Sequence, residues 1–347
     1  MTGFLSDIKN NFLATGVGSL SFKDPRPALN FVFDNLSYHI PFWPQLPQSS
    51  FYENMYVQFS EQVPGIHIDE KQRSIWVDTA SPGYMGELEE CFNKCQALDV
   101  GHFAISRRAS ESLYLFSQRL MALSWQGWVK AQIIGPFSLG LSLLDENKNP
   151  IIYNAELSEL LPLILSLKAS WLIKQIKAHA RTKIIIVIDE PYLVAVGTSQ
   201  CSLPKEVIID KINQLAKVIH DNGACVGLHC CGNTDWEMAM AMDVDILNFD
   251  AYGFLDKLFI YEKALIAFLK KGGIPAIGIV PNNDDLLQEA LQERLFDVLT
   301  NRPKGVALLQ NGALITTSCG CSALSEELTQ KAFCMCVSIA ERLKVEF

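Results

Sequence analysis

The sequence lacks the features that mark several large classes of protein. No apolar run approaches the roughly 20 residues that an α-helix needs to cross a bilayer. No run of like charges is long enough to form an acidic or basic tail, and no internal repeat or low-complexity linker is visible. Neither a G-x-G-x-x-G turn nor a Walker loop follows any apolar run, which removes the usual signs of a dinucleotide- or phosphate-binding loop.

The amino-terminal residues 1–13 contain Asp7, Lys9 and Asn10 and lack the apolar core of a signal peptide. The formal charge of −9 makes the chain a poor binder of nucleic acid and of anionic membranes. We therefore expect a soluble, cytoplasmic protein that binds neither. In such a chain the 10 cysteines favour burial, metal binding or thiol chemistry over disulfides. Those in helical stretches are expected to be buried: Cys91, Cys95, Cys334 and Cys336.

The second half of the chain alternates between apolar runs and amphipathic helices. The run 183–189 reads as a buried strand, and residues 203–223 read as a helix that Gly223 ends. Strands alternating with helices indicate βαβ units and a parallel sheet. Candidate strands lie near residues 14–19, 37–42, 100–105, 129–134, 184–188, 225–229, 245–249, 274–280 and 313–318.

These patterns predict an α/β fold, a single (β/α)8 TIM barrel over residues 1–347, which is favoured over an open doubly wound sheet. The 347 residues, 49% of them hydrophobic, suffice for one such domain. Because the candidate strands exceed eight by one, we expect one of the early candidates not to be a strand. Residues 65–78 alternate with period two around a polar turn, which predicts an inserted β-hairpin.

Polar residues follow several of the predicted strands at the point where each strand ends. In a barrel the carboxyl ends of the strands meet at one mouth, so these side chains are expected to converge there. They are Ser19, Asp189, Glu190, His229, Cys231, Asp250, Cys319 and Cys321.

The stretch "GLHCCGNTDW" (227–236) places His229 and Cys231 two positions apart. On an extended segment they point the same way, so both could bind one ion while Cys230 faces elsewhere. Imidazole and thiolate are zinc ligands. A second thiolate could come from Cys319 or Cys321, and a carboxylate from Asp250. The alternatives are a buried histidine packed among cysteines and a strained disulfide between the neighbouring Cys230 and Cys231.

Asp189 and Glu190 follow the buried run 183–188. Acidic residues at the end of a buried strand are costly unless they serve a site. They could bind an amine or act as a general base. The alternative is that they are helix N-terminal acids that precede a loop.

Taken together, the motifs resemble a known superfamily. The short segments "TGVGSL" (15–20), "IDEPYL" (188–193), H-x-C (229–231), "FDAYGF" (249–254) and "SCGC" (318–321) resemble, in the same order, the C-terminal catalytic barrel of cobalamin-independent methionine synthase. The wider group includes uroporphyrinogen decarboxylase and the zinc-dependent corrinoid:coenzyme M methyltransferases. "HCCGNT" is similar to the H-x-C-G-N-T of the last family. The resemblance covers nearly the whole chain.

The resemblance implies a role for each matching position. His229, Cys231 and Cys319 correspond to zinc ligands, and Asp250 stands where methionine synthases place a ligand glutamate. Asp189 corresponds to the carboxylate that binds the homocysteine amine, and Ser19 to a residue that contacts the amino-acid backbone.

Three features depart from the family patterns. The duplicated N-terminal barrel of the full methionine synthase is missing, which weakens the case for folate binding. "GIVPNNDD" stands where such enzymes carry a histidine after the seventh strand. Nothing near residues 14–45 matches the Arg-rich segment of uroporphyrinogen decarboxylases.

We therefore predict a zinc-dependent thiol S-methyltransferase that converts homocysteine to methionine. Asp189 is the predicted catalytic residue, and it binds the substrate together with Ser19 and Glu190. The donor is a corrinoid or a folate, and with one barrel a methylcorrinoid or a corrinoid protein is favoured. The alternatives are coenzyme M as the thiol, a metal-free tetrapyrrole decarboxylase that uses Arg107 and Arg108, and a non-enzymatic metal or thiol sensor.

Overall fold

Strands of one parallel sheet form the centre of the protein. The computed structural model describes residues 7–347, and residues 1–6, part of the segment inspected for a signal peptide, lie outside the described residues. The strands of the described part are β1 (Phe12–Ala14), β2 (Ile66–Asp69), β3 (Ser74–Val77), β4 (Trp128–Ile134), β5 (Lys183–Asp189), β6 (Cys225–Cys230), β7 (Ile246–Phe249), β8 (Ile274–Val280) and β9 (Ala313–Thr317). Seven of them pair in parallel in the order β1-β9-β8-β7-β6-β5-β4, and the sheet curls.

Helices surround this sheet and follow its strands along the chain. Those between residues 7 and 347 are α1 (Pro25–Leu36), α2 (Met55–Gln58), α3 (Tyr84–Gln96), α4 (Glu111–Ala122), α5 (Pro136–Ser142), α6 (Ala155–Lys177), α7 (Lys205–Asp221), α8 (Trp236–Ala241), α9 (Ala251–Leu258), α10 (Glu262–Lys270), α11 (Leu291–Thr300), α12 (Pro303–Leu309) and α13 (Glu326–Glu346). Gly223 ends the predicted helix α7 because its φ of 68° is left-handed. Within this part of the chain, no helix combines the length and the apolar character that a bilayer crossing requires.

Alternate residues of the strands fill the inside of the curled sheet. Ile185 and Val187 belong to a small apolar cluster with residues of β6, β7, β8 and β9, whereas their neighbours Ile184 and Ile186 pack in the larger cluster with the helices. Two positions further along the inner face, β5 carries Asp189, and polar side chains also stand at matching positions of β6, β7 and β9. The interior is therefore apolar at one end and polar towards the carboxyl ends of the strands.

The segment 40–43 bridges the two edge strands of the sheet. The backbone N–H of Ile40 donates to the carbonyl of Ala14 on β1 (3.1 Å), and that of Lys130 on β4 donates to the carbonyl of Pro41 (2.9 Å). The segment forms one isolated bridge, from Phe42 to Lys130, and not a regular strand. The predicted α/β architecture is thus confirmed as a seven-stranded curled sheet, and the candidate strand at 37–42 is an irregular connection.

The candidate strand at 100–105 was a wrong prediction, because this stretch forms turns and pairs with no strand. The apolar pattern of this stretch reflects burial and not strand pairing, since Phe103 and Ile105 are buried in the main core. The two late candidates, at 274–280 and 313–318, are both strands, β8 and β9.

The predicted hairpin at 65–78 is confirmed by β2 and β3, which pair antiparallel from Ile66–Val77 to Asp69–Ser74. Its residues Ile68 and Ile75 pack against Phe51, Tyr52 and Val57, in a cluster separate from the main core. The hairpin thereby supports the segment 51–58, which forms one wall of the cavity described below.

Candidate metal centre

Three of the predicted metal ligands lie together at the carboxyl ends of the strands. His229 is on β6, Cys231 follows that strand directly, and Cys319 lies in the loop after β9. One ligand atom of each residue lies within 4.8 Å of the other two. Two strands, β7 and β8, stand between β6 and β9 in the sheet. The curl of the sheet therefore brings donors that are 88 positions apart in sequence, 231 and 319, into one group.

The chemistry of this group fits zinc. Both ring nitrogens of His229 are buried, and neither has a hydrogen-bond partner among the described residues. An imidazole buried in this way is costly unless something binds it. The cysteines are free thiols. One imidazole and two thiolates are ligands that Zn²⁺ prefers, and three protein ligands leave a fourth position open, as in catalytic sites.

The two thiols differ in their protonation. Contact with Cys319 and with His229 lowers the pKa of Cys231 to about 4. The same contact with Cys231, together with burial, raises the pKa of Cys319. Burial opposes the protonation of His229, but Cys231 and Asp189 outweigh it and raise the pKa of the imidazole. These contacts favour the thiolate form of Cys231, which is the form that binds a metal ion.

The neighbouring cysteines face away from the group. Cys230 is buried, and its Sγ donates to the carbonyl of Gly232 (3.6 Å). Cys321 donates to Oγ1 of Thr317 (3.8 Å). The geometry thus selects Cys319 over Cys321 as the third donor. All 10 cysteines are free, so no disulfide joins Cys230 to Cys231. Cys91, Cys95 and Cys336 are buried as predicted, whereas Cys334 is exposed, because it lies on the outer face of α13.

Asp250 lies at the edge of the site. It is the N-cap of α9, where its Oδ1 accepts from the backbone N–H of Gly253 (2.7 Å). Burial raises the pKa of its carboxyl, and Cys231 adds to this effect. Asp250 is not one of the three grouped donors. Its role as a fourth ligand remains a prediction, in which Oδ2 would bind the metal while Oδ1 caps the helix.

Asp189 faces the same cavity as the three donors. It is the last residue of β5 and stands beside His229 in the parallel register. Its Oδ1 is buried without a hydrogen-bond partner among residues 7–347. Burial raises the pKa of its carboxyl to about 6. An unpartnered carboxylate oxygen in a cavity is a natural acceptor for a cationic group of a ligand.

Glu190 points in the opposite direction. Its two carboxyl oxygens accept from the backbone N–H groups of Phe137 (3.1 Å) and Ser138 (2.8 Å) at the start of α5. The backbone at Gly135 lies so close to the Glu190 side chain that a Cβ on Gly135 would be 1.9 Å from Oε1 of Glu190. The carboxyl does not line the cavity. In place of the predicted substrate contact, the geometry gives Glu190 a positioning role: it ties the loop after β5 to α5.

A cavity of about 210 Å³ opens beside the three donors. Its walls include Ser19, Asp189, His229, Cys231 and Cys319, all of which were predicted to be at the site. Ser19 is held against the loop of Cys319, because its carbonyl accepts from the N–H of Cys321 (2.8 Å). A Cβ on Gly320 would lie 2.1 Å from Oγ of Ser19, so this close approach requires glycine.

Two residues that the sequence analysis missed also line the cavity, Glu53 and Tyr56. Glu53 is buried, and its Oε2 accepts from the N–H of Leu46 (2.9 Å). Burial raises the pKa of this carboxyl to about 7. The ring of Tyr56 lies 6.3 Å from that of Tyr192, edge to face. The only sequence signal was a glutamate within the aromatic stretch 51–56.

A buried lysine lies beneath the site. Lys130 on β4 donates through Nζ to the carbonyl of Val17 and to Oε1 of Gln132 (3.1 Å). Burial lowers its pKa to about 8, and the charge of Asp189 opposes that change. Because Val17 precedes Ser19 by two residues, Lys130 fixes the loop that carries Ser19 into the cavity.

The fold belongs to the α/β class, with a curled parallel sheet surrounded by helices. No protein-family model and no curated protein matches the chain. Among solved structures, a methyltransferase from Methanosarcina mazei is similar over 94% of this chain and 93% of its own, with a TM-score of 0.56 and 10% sequence identity. A Listeria monocytogenes protein, provisionally named a vitamin-B12 independent methionine synthase, is similar over 62% of this chain and 63% of its own, with a TM-score of 0.42 and 14% identity. At 10% identity, the first comparison shows a shared fold.

Proposed function

We propose that the protein is a zinc-dependent thiol S-methyltransferase that methylates homocysteine to methionine. The observation that carries this proposal is the group formed by His229, Cys231 and Cys319 beside a cavity whose wall includes Asp189. The fold shared with a methyltransferase from Methanosarcina mazei supports the reaction class.

The chain's own residues can bind and orient such a substrate. The three donors would hold the zinc ion. Zinc bound there would supply a Lewis acid that makes a thiol, whose pKa is ordinarily about 8.5, reactive as the thiolate at neutral pH. Asp189 offers its unpartnered Oδ1 to the substrate ammonium, and the Ser19 hydroxyl faces the same cavity.

Methyl transfer then requires the donor to approach the sulfur in line. A sulfur–carbon bond forms as the bond from the methyl carbon to the donor breaks. The electron pair of that bond stays with the donor, so that a methylcob(III)alamin becomes cob(I)alamin, and the thiol proton is released to water beforehand. The reacting atoms must come within about 3–3.5 Å of each other. Asp189 and Ser19 would serve this geometry by holding the amino and carboxyl groups of the substrate, so that its sulfur faces the three donors.

The cavity volume indicates how the donor is presented. About 210 Å³ accommodates a small amino acid but not a corrinoid or a folate in addition. The donor must therefore reach the sulfur from outside the mouth. We propose a methylcorrinoid, free or carried by a corrinoid protein, as the donor, with a folate as the alternative.

We also propose a cytoplasmic location, where thiols stay reduced.

The cavity fits the alternative substrates less well. Coenzyme M carries a sulfonate, which requires cationic or amide partners. The described residues that line the cavity include the carboxyls of Glu53 and Asp189 and no lysine or arginine. Two amides also line it: Nε2 of Gln45 donates to Oε1 of Gln58 (2.7 Å), and the side chain of Asn54 caps α2. A tetrapyrrole acid would need both more space and more positive charge. Arg107 and Arg108 do not supply that charge, because they pair with Glu111 (3.0 Å) and Glu70 (3.3 Å) outside the cavity.

A direct assay separates these possibilities. Purified protein loaded with zinc is mixed with methylcobalamin and with either homocysteine or coenzyme M, and cob(I)alamin formation and the methylated thiol are measured. We expect kcat/KM for homocysteine to exceed that for coenzyme M by about 100-fold or more, because only homocysteine places an ammonium group at Asp189. Equal rates, or a preference for coenzyme M, would contradict the proposed substrate. Failure of both thiols with methylcobalamin and with methyltetrahydrofolate would contradict the proposed reaction.

A further inference from the structure

A second cavity lies on the outside of the protein, between α3 and α6. Its volume is about 670 Å³, and apolar residues line most of it: Met85, Leu88, Phe92, Leu160 and Leu163. Three of these are strongly exposed for large apolar side chains, Met85 at 68%, Phe92 at 46% and Leu163 at 39%. Apolar surface gathered in a groove in this way marks an interaction site more often than isolated exposed residues do.

The groove is lined by the first nine residues of each helix, 84–92 of α3 and 155–163 of α6. Towards the end of α3, Cys91 and Cys95 are buried in the main core. On α3, Met85, Glu89 and Phe92 follow the spacing i, i+4, i+7, which places them on one side of the helix. On α6, Glu156, Glu159 and Leu163 follow the spacing i, i+3, i+7, which also places them on one side of their helix. These two rows form the opposite walls of the groove.

The charge along the groove has one sign. Its lining includes the carboxylates of Glu89, Glu156 and Glu159 and no lysine or arginine among residues 7–347. Glu159 pairs with Lys211 on α7 (2.9 Å). For Glu89 and Glu156, the described part of the chain forms no ion pair within 4.0 Å. An occupant that buries the apolar floor would bring its own flanks close to these carboxylates, and cationic flanks would complement them.

We infer that the groove between α3 and α6 is a docking site for a cationic amphipathic helix of a partner protein. An apolar face with anchors at i, i+3 or i+4, and i+7 would lie on Met85, Phe92 and Leu163. Lysine or arginine residues beside that face would pair with Glu89 and Glu156. This site lies outside the cavity of the metal centre, shares no lining residue with it, and does not depend on the proposed function.

The test uses a defined probe and matched variants. A fluorescein-labelled peptide of 14 leucine and lysine residues, with leucines at i, i+3, i+4 and i+7, is titrated with the full chain at about 0.15 M salt, which screens the general negative charge. Fluorescence anisotropy gives Kd. We expect Met85→Asp and Leu163→Asp each to raise Kd by about tenfold or more, because they put a charge into the apolar floor. Glu89→Lys combined with Glu156→Lys should weaken binding to a similar extent.

The controls use exposed residues on other helices. Met121→Asp on α4 replaces a methionine that is 55% exposed, and Glu327→Lys on α13 reverses an exposed charge. Both variants should bind the peptide as the unchanged chain does. The inference is overturned if the groove and control variants bind equally, or if a peptide with glutamate in place of lysine binds as tightly. It is also overturned if the chain forms a dimer in solution that Met85→Asp dissociates, since a second copy would then be the occupant.

Discussion

Replacing Cys231 by serine is expected to remove both the bound zinc and methyl transfer. A serine hydroxyl stays protonated at neutral pH and is a poor zinc ligand, so the site would retain only His229 and Cys319 of the three grouped donors. We expect the zinc content to fall from about one per chain to below about a tenth, and kcat/KM for homocysteine to fall by about 100-fold or more. Cys319→Ser should behave in the same way.

The adjacent cysteines provide the controls for this experiment. Cys230 precedes Cys231 in the chain but faces away from the group, and Cys321 follows Cys319 by two positions and donates to Thr317. Cys230→Ser and Cys321→Ser should therefore keep the zinc and the activity. Zinc is measured by elemental analysis after gel filtration, with circular dichroism to verify folding. Loss of zinc in Cys321→Ser but not in Cys319→Ser would contradict the assigned ligand set.

Replacing Asp189 by asparagine is expected to raise KM for homocysteine by about 100-fold. The substrate ammonium would lose its charge partner in a buried cavity, and loss of one partner of a buried charged pair has effects of this size. The isosteric amide keeps the shape of the side chain. The zinc content should not change, because Asp189 is not one of the three grouped donors.

A substrate without the amine isolates the role of Asp189. 4-Mercaptobutanoic acid has the carbon chain, thiol and carboxylate of homocysteine but no ammonium group. We expect Asp189→Asn to leave its KM within about threefold of the original value, so the preference for the amino acid collapses. Glu190→Gln is the matched control, since Glu190 binds the start of α5 and does not line the cavity. Equal losses for both thiols in Asp189→Asn would mean that Asp189 acts on structure and not on the amine.

The sequence was most informative where chemistry follows a regular strand. Alternation along β6 separates His229 and Cys231 from Cys230, and the strand-end rule for parallel sheets places Cys319 and Asp189 at the same edge. The same alternation would also have separated Glu190 from Asp189, because consecutive residues at a strand end face opposite sides. Applied consistently, it predicts that Glu190 turns away from the cavity, as the structure shows.

These rules do not predict the positions of irregular segments. Glu53 and Tyr56 enter the cavity from a short 3-10 helix and α2, whose positions depend on packing against the hairpin. Neither helical nor strand periodicity in the sequence predicts a contact between segments that are packed in this way. The choice between Cys319 and Cys321 likewise depended on the conformation of a loop. The two thiols are two positions apart in it, and strand alternation does not apply to a loop. The apolar residues at 100–105 predict a strand wrongly, because burial without strand pairing produces the same apolar pattern.

X-ray absorption at the zinc K edge tests the central claim most directly, because it reports the atoms bound to the metal in the zinc-loaded protein. The account predicts two sulfur ligands at about 2.3 Å, from Cys231 and Cys319, together with nitrogen or oxygen ligands at about 2.0–2.1 Å. Addition of homocysteine should add a third sulfur. A coordination shell made only of nitrogen and oxygen, unchanged by the thiol, would contradict the account.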